Sequence, residues 1–470
     1  MKMAAKLLKS GHSLAYYAKI AGFFGFFYFL YMLTFLTIAN QGALVLGPQN
    51  IIAVYQISNL CYMAGFLLFT ASRRLFAGQT ARKIVLLIFG LAYTLGLGVV
   101  LFFNGYGFIA GAYLCTLAFG HMHGWVCYDI AMALQDGHYI GRVTGCALFM
   151  GTLLQVVTQK MIPPNITLLL VLVIALILML YAIIKPPKDW VFDEPLPFEK
   201  DNRKRNRDLA VLAVAVILIT VIGALRDGYV VTQHVEGNLT AASLLRLCSG
   251  AYMLALGFLF DWKRRAYMPI IVLGMTSLIF LEIIFVEIPG MYSFDMLLTY
   301  MWSNPGIVFM YVSFFDIAPK AKRPYLWAGM GRALDAGVAG SIGLLSFHIA
   351  GYKTMMFASA ACLIGLLLTF WRSGRLSIIE YRPAAPDTDE LSVERFSLKY
   401  GLTPRETEVM EKILESDKNV KELALELFIS ERVLYRYLNS LYEKTATASR
   451  MGLVLLYYGN HTLSNQEEQN

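Results

Sequence analysis

Residues 165–184 read NITLLLVLVIALILMLYAII, and this stretch decides the fold class of the chain. It contains no charged side chain, and its length matches the roughly 20 apolar residues that an α-helix needs to cross a bilayer. In lipid a helix also satisfies its backbone hydrogen bonds within its own segment. The stretch therefore predicts a transmembrane helix.

The composition predicts that most of the chain lies in the same environment. Of its 470 residues, 57% are hydrophobic and 15% are charged, whereas soluble proteins carry about 25% charged residues. The apolar residues fill positions 18–371, and the sequence beyond position 382 has the composition of a soluble protein. This shift predicts a membrane domain followed by a soluble C-terminal domain.

Further apolar segments on both sides of residues 165–184 complete the predicted membrane domain. They form two sets of six, at 18–184 and 208–371, around a charged central loop at 185–207. The predicted fold class is therefore all-α, a polytopic bundle of 6+6 helices. The predicted spans are 18–40, 51–70, 84–103, 106–132, 141–160, 165–184, 208–230, 241–260, 267–286, 292–316, 326–348 and 353–371.

The distribution of Lys and Arg orients this bundle, because cytoplasmic loops carry an excess of both residues. With the N-terminal segment 1–17 inside, the outer loops hold only Lys160 and Lys353. Both termini are therefore predicted to be cytoplasmic, in a bacterial inner membrane. The cations of the inner loops are Arg73, Arg74, Arg82, Lys83, Arg142, Lys185, Lys188, Lys200, Arg203, Lys204, Arg205, Arg207, Lys263, Arg264, Arg265, Lys320, Lys322 and Arg323.

One loop motif supports this arrangement. Residues 257–265 read Gly-Phe-Leu-Phe-Asp-Trp-Lys-Arg-Arg, which resembles the loop signature of the major facilitator superfamily. The equivalent first-half loop, residues 71–83, keeps the basic residues but lacks the Asp. The resemblance implies a transporter-like bundle in which Asp261 holds helices together at the cytoplasmic gate. It covers about 80% of the chain, mostly through topology.

The sequence does not predict enzymatic chemistry. It contains no nucleophile elbow, Walker loop or metal-ligand spacing, and we expect neither a metal nor a cofactor. The cysteines lie inside apolar segments without the spacing of a zinc site or a redox pair, so they are interpreted as packing residues. They are Cys61, Cys115, Cys127, Cys146, Cys248 and Cys362.

The soluble C-terminal region, residues 395–462, follows a polar, Pro-rich linker at 372–394 and precedes a polar tail at 463–470. Thr403, Pro404 and Glu406 predict a helix start with a capping box. A second helix is predicted over Val420–Leu427. After the turn at 428–430 a third helix begins, and a fourth begins near Ser449. A short helix, a tight turn and a second helix form the layout that places one helix in the DNA major groove.

These residues closely resemble the LuxR-type DNA-binding domain, in order and spacing and without a gap. The resemblance implies a four-helix domain that binds promoter DNA as a homodimer, with RNA polymerase as a further partner. The matching residues are Leu402, Thr403, Pro404, Arg405, Glu406, Glu408, Val409, Asn419, Lys421, Glu422, Leu423, Ala424, Leu427, Phe428, Ile429, Ser430, Leu438, Leu441, Tyr442, Lys444, Ser449 and Arg450.

The third helix departs from the family pattern at three positions. Tyr435 and Tyr437 replace the usual Lys and His, and Ala446 replaces the usual Gly. Acidic and basic residues nearly cancel between positions 390 and 460. Because phosphate contacts dominate DNA affinity, we expect weak binding by a single domain. The resemblance implies DNA contacts by Lys421, Ser430, Arg432, Tyr435, Arg436, Asn439 and Lys444.

Ionisable and aromatic side chains within the predicted spans mark a candidate ligand site, because intramembrane charges are costly and usually functional. In the superfamily the first, fourth, seventh and tenth helices line a central cavity. Arg226 would offer a fixed charge to an anionic or catechol-like ligand, whereas an internal ion pair with Asp227 is an equal alternative. The candidates are His121, Trp125 and Asp129 on the fourth span, Arg226, Asp227 and Tyr229 on the seventh, Arg246 on the eighth, and Tyr300, Trp302 and Asn304 on the tenth.

Three functional hypotheses follow from the sequence. The first is a one-component sensor whose bundle binds a small molecule and whose tail regulates a promoter. The second is a secondary transporter whose tail couples uptake to gene expression. The third is a membrane protein whose tail binds another protein, which the near-neutral charge of residues 390–460 allows.

Overall fold

The computed structural model divides the chain into two compact units, Met1–Ser377 and Ile378–Asn470. Within the described residues the regular secondary structure is helical, which confirms the all-α class. The described residues are 13–186 without 77, 136 and 138; 202–235; 244–285; 292–349; 352–374; and, in the second unit, 393, 396–398, 400–415, 420–427, 429–447, 449–450, 452–453 and 456–457.

The first unit is a helical bundle, and its long helices overlap the predicted spans. Its helices are α1 (Leu14–Leu46), α2 (Pro48–Leu75), α3 (Gln79–Phe102), α4 (Gly105–Ala133), α5 (Ile140–Met161), α6 (Ile166–Ile184), α7 (Asn202–Val235), α8 (Leu244–Phe260), α9 (Met268–Thr276), α10 (Ile279–Phe285), α11 (Tyr292–Ile317), α12 (Pro324–Trp327), α13 (Met330–Ile349) and α14 (Tyr352–Arg372).

Two predicted boundaries need correction. The ninth span is broken at Ser277 into α9 and α10. Helix α7 begins at Asn202, inside the stretch predicted as the central loop. Its first residues, 203–207, are mostly Arg and Lys, which are good helix formers when their charged ends stay in water. The charged residues 203–207 therefore belong to helix α7 and do not mark the boundary between the central loop and the helix.

Length and hydropathy agree with a membrane location. Among the described residues, six helices are long and apolar enough to cross a bilayer, and three shorter helices are also apolar. Large apolar side chains remain exposed on the outer faces of the bundle, including Leu91, Ile174 and Ile364. In water such a surface would be an association site, and in lipid it matches its surroundings.

Contact between α5 and α8 joins the two halves of the bundle. A Cβ atom added at Gly141 would overlap the carbonyl oxygen of Gly257, and one added at Gly257 would overlap that of Gly141. Gly145 packs against the same turn of α8, where an added Cβ would lie 3.0 Å from the Cα of Gly257. Small residues allow the backbones of membrane helices to approach closely, and here they bring one helix from each half together.

The motif loop after α8 fastens this contact at one end. The carboxylate of Asp261 accepts hydrogen bonds from the backbone N–H groups of Gly141 and Arg142, both at 2.8 Å. These donors belong to the first turn of α5, where N–H groups have no partner within the helix. Arg265 donates to the carbonyl of Gly137 and to Asp316, both at 3.0 Å. Asp261 therefore holds the two halves together, as the family resemblance implied.

The second unit contains α15 (Pro404–Glu415), α16 (Val420–Glu426) and α17 (Glu431–Thr445). Beyond them, the described residues from Arg450 to Tyr457 are also helical. Ser430 caps α17 by accepting a hydrogen bond from the N–H of Val433. The three helices share one apolar core, whose buried members include Val409, Met410, Ile413, Leu423, Ala424, Leu427, Leu434, Leu438, Leu441 and Leu453.

Ala446 ends α17 in the left-handed conformation, with φ 52° and ψ 38°. This is the position at which the family pattern usually has Gly. A side chain in this region costs roughly 1–2 kcal/mol, and helices often end here with Gly. We therefore expect Ala446→Gly to raise the free energy of unfolding of the second unit by about 1 kcal/mol, measured by urea denaturation of residues 378–470.

Ala446→Val is the matched control for this prediction. Its β-branched side chain is poorly tolerated at positive φ, and the exposed Ala446 side chain contributes little packing that either change could remove. We expect Val to lower the midpoint while Gly raises it. Equal midpoints for Gly, Ala and Val would contradict the backbone argument.

Candidate functional site

A cavity of about 250 Å³ lies between the two halves of the bundle. Helices α1 and α2 contribute one wall, and α7, α8, α11 and α13 contribute the other. Its size lies just below the range typical of small-molecule sites. The lining residues are Tyr31, Tyr55, Asn59, Ile219, Thr220, Gly223, Ala224, Arg226, Arg246, Met296, Thr299, Tyr300, Trp302, Ser303, Asn304, Gly306, Ile307, Met310, Arg332, Asp335 and Ala339.

The cavity brings together five residues that the sequence marked as candidates. They are Arg226, Arg246, Tyr300, Trp302 and Asn304. Sequence reasoning did not place Tyr31, Tyr55 or Asn59 there, since aromatic and amide residues are common in ordinary spans. The side chains of Asp227 and Tyr229 lie outside the described residues.

The candidates on α4 do not line the cavity. His121 is fully buried and stacks on Phe89, with ring centroids 3.9 Å apart. The guanidinium of Arg73 lies over the ring of Trp125, with its Cζ 4.7 Å from the ring centroid. Asp129 is buried on the same helix. His121 and Trp125 therefore contact α3 and α2, and both contacts lie within the first half.

Arg226 forms ion pairs with two acidic residues, Glu282 and Asp295, that are distant from it in sequence. Its guanidinium donates to Glu282 at 2.8 Å and to both carboxylate oxygens of Asp295, at 2.7 and 2.8 Å. Trp302 and Thr299 donate to the carboxylate of Glu282. All three charged side chains are buried. Two carboxylates therefore compensate the charge of Arg226, which favours the alternative of an internal ion pair, formed with Glu282 and Asp295.

The tenth span is a continuous helix that lacks one backbone hydrogen-bond donor beside the cavity. Pro305 lies within α11, where it cannot donate the hydrogen bond that the carbonyl four residues earlier would accept. The hydroxyl of Tyr252 donates to that carbonyl, of Met301, at 3.3 Å. The amide of Asn304 donates to Ser249 Oγ at 3.0 Å. Side chains of α8 thus replace the missing helical contact and tie Asn304 to the cavity wall.

The third helix of the second unit presents one exposed polar face. Arg432, Tyr435, Arg436 and Asn439 follow the helical spacing i, i+3, i+4 and i+7, and all four are exposed. The opposite face contains the buried residues Leu434, Leu438 and Leu441. A helix with this orientation can offer guanidinium, phenol and amide groups to base edges and phosphates. These are residues that the sequence marked for DNA contact.

Lys444 occupies a different position from the exposed polar face. Its ammonium donates to Glu406 at 2.7 Å and to the carbonyl of Gly401 at 3.1 Å. A phosphate contact would have to replace these bonds, so its geometry favours a positioning role. Ser430 caps α17 and is exposed at its start. The Lys421 side chain lies outside the described residues.

Glu406 connects the start of α15 to α17. Its carboxylate accepts hydrogen bonds from the N–H of Thr403 at 2.7 Å, from Ser440 at 2.6 Å and from Lys444. The N–H of Glu406 donates to Thr403 Oγ1 at 3.4 Å, which completes the predicted capping box. Burial alone would raise the pKa of this carboxyl, but the hydrogen bonds outweigh burial and lower the pKa to about 2.

We expect Arg226→Met to destabilise the bundle by about 3–5 kcal/mol, because it leaves two buried carboxylates without their cation. Thermal unfolding of the detergent-purified protein measures this loss. The triple variant R226M/E282Q/D295N removes the stranded charges and should recover most of the melting temperature. A triple variant as unstable as the single one would contradict the charge argument.

We expect Glu406→Gln to lower the free energy of unfolding of the second unit by about 2 kcal/mol at pH 7, the contribution of hydrogen bonds to a charged group. The folded pKa of about 2 lies below the ordinary value of 4.5. The stabilisation is therefore complete above pH 4.5 and is lost as the pH falls towards 2. Urea denaturation across this range should show the two proteins converging, and a constant difference would refute the assignment.

Comparisons with known proteins address each unit separately. The model of the family described as "Bacterial regulatory proteins, luxR family" matches residues 401–457. No curated protein matches the chain significantly. The human organic anion transporter MFSD10 is similar in structure, with a TM-score of 0.51 and 12% identity over 76% of this chain and 98% of its own.

A second solved structure resembles the same part of the chain. An auto-inhibited peptide transporter of the POT family has a TM-score of 0.52 and 10% identity, over 79% of this chain and 99% of its own. At such identities the likeness shows the fold alone. The chain therefore joins a membrane domain with the major facilitator fold to a C-terminal DNA-binding domain of the LuxR family.

Proposed function

We propose that this protein is a membrane-bound, one-component transcription regulator. Its second unit binds promoter DNA through the exposed face of α17. Its helical bundle binds the small molecule that controls this binding. The observation that carries the proposal is the face formed by Arg432, Tyr435, Arg436 and Asn439 in a domain that matches the LuxR family. We place both termini in the cytoplasm of a bacterium, where DNA can reach the tail.

The cavity between the halves supports the bundle as the input. Its wall combines Tyr31 and Asn59 from the first half with Arg246 and Asn304 from the second. A ligand that contacts both halves interacts differently with states in which the halves are apart. Each tenfold preference for one state supplies about 1.4 kcal/mol to the shift between them. The ligand would thereby change how the tails are presented to DNA.

Dimerisation at the membrane would strengthen DNA binding. The second unit carries few exposed cations on α17, so one domain has little phosphate attraction. Two tails held on one surface would bind a paired site with the advantage of a high effective concentration. The paired site follows from the resemblance to dimeric LuxR-type regulators, and contact with RNA polymerase belongs to the same proposal.

We expect an Arg432→Ala/Arg436→Ala variant of the full-length protein to lose promoter occupancy at least tenfold, since each base or phosphate contact contributes about 1–3 kcal/mol. Chromatin immunoprecipitation of the tagged protein measures this change. The matched variant Lys322→Ala/Arg323→Ala removes the same charge from exposed residues of the first unit and should keep most of the occupancy. Equal enrichment for all three proteins, or none for the wild type, would exclude the regulator.

A secondary transporter is the second candidate function. The observation that favours it is the pair of hydrogen bonds from the N–H groups of Gly141 and Arg142 to Asp261, which hold the two halves in contact. A fold similar to that of an organic anion transporter agrees with this function. Accumulation of a bound compound in proteoliposomes would support transport, whereas binding without accumulation would favour the sensor.

A further inference from the structure

Three arginines border the cavity, and they differ in how their charge is compensated. Arg226 lies between Glu282 and Asp295. Arg332 forms an ion pair with Asp335, and Thr220 donates to the same carboxylate at 2.8 Å. Arg246 has no carboxylate within ion-pair distance in the part of the chain that the structure describes. The cavity therefore contains one guanidinium, that of Arg246, that forms no ion pair with a carboxylate of the described residues.

The contacts of Arg246 are with neutral groups, and they include hydrogen bonds with the side chains of Tyr28 and Tyr300. Its Nε donates to Gln155 Oε1 at 3.4 Å, and its terminal nitrogen approaches the sulfur of Met32 at 3.3 Å. Its Cζ lies 5.5 Å from the ring centroid of Tyr300. A neutral amide, a thioether and two tyrosine side chains orient the guanidinium, but none of them carries an opposite charge.

An uncompensated cation at this depth requires a counter-charge. Charged groups within a bilayer are costly, and they pair with one another or face a polar cavity. Arg246 is half-buried and borders the cavity, so a counter-ion can reach it from there. A guanidinium fits a carboxylate well, because two parallel N–H groups match its two oxygens.

The remaining cavity wall defines the body of such a ligand. Tyr31, Tyr55 and Tyr300 provide aromatic surface, and Asn59 provides an amide. The Nε of Arg332 is buried and has no hydrogen-bond partner among the described residues. The volume of about 250 Å³ restricts the occupant to a small molecule.

We infer that the cavity binds a small aromatic monocarboxylate, with its carboxylate on Arg246 and its ring against the tyrosines. This inference rests on the proposed function for its regulatory meaning, but not for the binding itself. The residue that binds the anionic group of the ligand is then Arg246 and not Arg226. Because Arg246 belongs to the second half and Tyr31 to the first, the same ligand contacts both halves.

Paired probes test this inference on the wild-type protein. Benzoate, phenylacetate and 3-phenylpropanoate are titrated into the purified full-length protein in nanodiscs, each beside its neutral amide, at constant ionic strength. We expect at least one acid to raise the melting temperature and to bind about 30-fold more tightly than its amide, the effect of losing one partner of a buried charge pair. Acetate and chloride serve as the aliphatic and inorganic arms.

Variants locate the site. Arg246→Gln should weaken binding of that acid about 30-fold and leave its amide unchanged. Arg246→Lys should keep part of the preference for the acid. Lys160→Gln, which removes an exposed charge at the end of α5, is the control and should bind like the wild type. The unliganded melting temperature of each variant reports whether it is folded.

Several outcomes would overturn the inference: no response to any of the acids, equal binding of acid and amide, equal stabilisation by chloride or acetate, or unchanged binding by a folded Arg246→Gln variant. The assay contains no DNA, so its failure is separate from failure of promoter binding. Carboxylate binding without promoter occupancy would leave this site intact and favour the transporter.

Discussion

The close approach of α5 and α8 is the contact on which the rest of the membrane domain depends. Gly141 and Gly257 leave room for backbone against backbone, and Asp261 then reaches the unpaired N–H groups at the start of α5. Further along the same pair of helices, Arg246 of α8 meets Gln155 of α5. This helix contact therefore joins the halves on one side, brings Asp261 to the start of α5 and places Arg246 beside the cavity.

The three arginines beside the cavity differ in whether a carboxylate lies within ion-pair distance. Arg226 and Arg332 have carboxylates from their own half, so they stabilise the arrangement of α7, α10, α11 and α13. Arg246 lies at the junction of the halves and contacts neutral groups from the first half, Gln155 and Met32. Paired charges thus maintain the structure of the second half, and the arginine without an ion pair is the one to which we assign the proposed carboxylate.

Periodicity and composition predicted the helices well, because hydropathy over twenty residues is a strong local signal. They also predicted the capping box at Thr403 and the buried face of α17, which depend on neighbours within one or two turns. The partners of Arg226 were not predictable, since Glu282 and Asp295 lie 56 and 69 positions away. Likewise, the sequence did not determine which face of α4 points to the cavity. In the structure His121 packs on Phe89 and Trp125 packs on Arg73.

The exposed face of α17 has a consequence for how the regulator would behave in a living cell. Binding to DNA releases condensed counterions in proportion to the phosphates that a protein neutralises. With Arg432 and Arg436 as the cations of that face, and Lys444 engaged by Glu406, this face of each domain would release few ions. Occupancy of the promoter would then change little when osmotic stress alters intracellular potassium, whereas that of a strongly basic regulator would fall steeply.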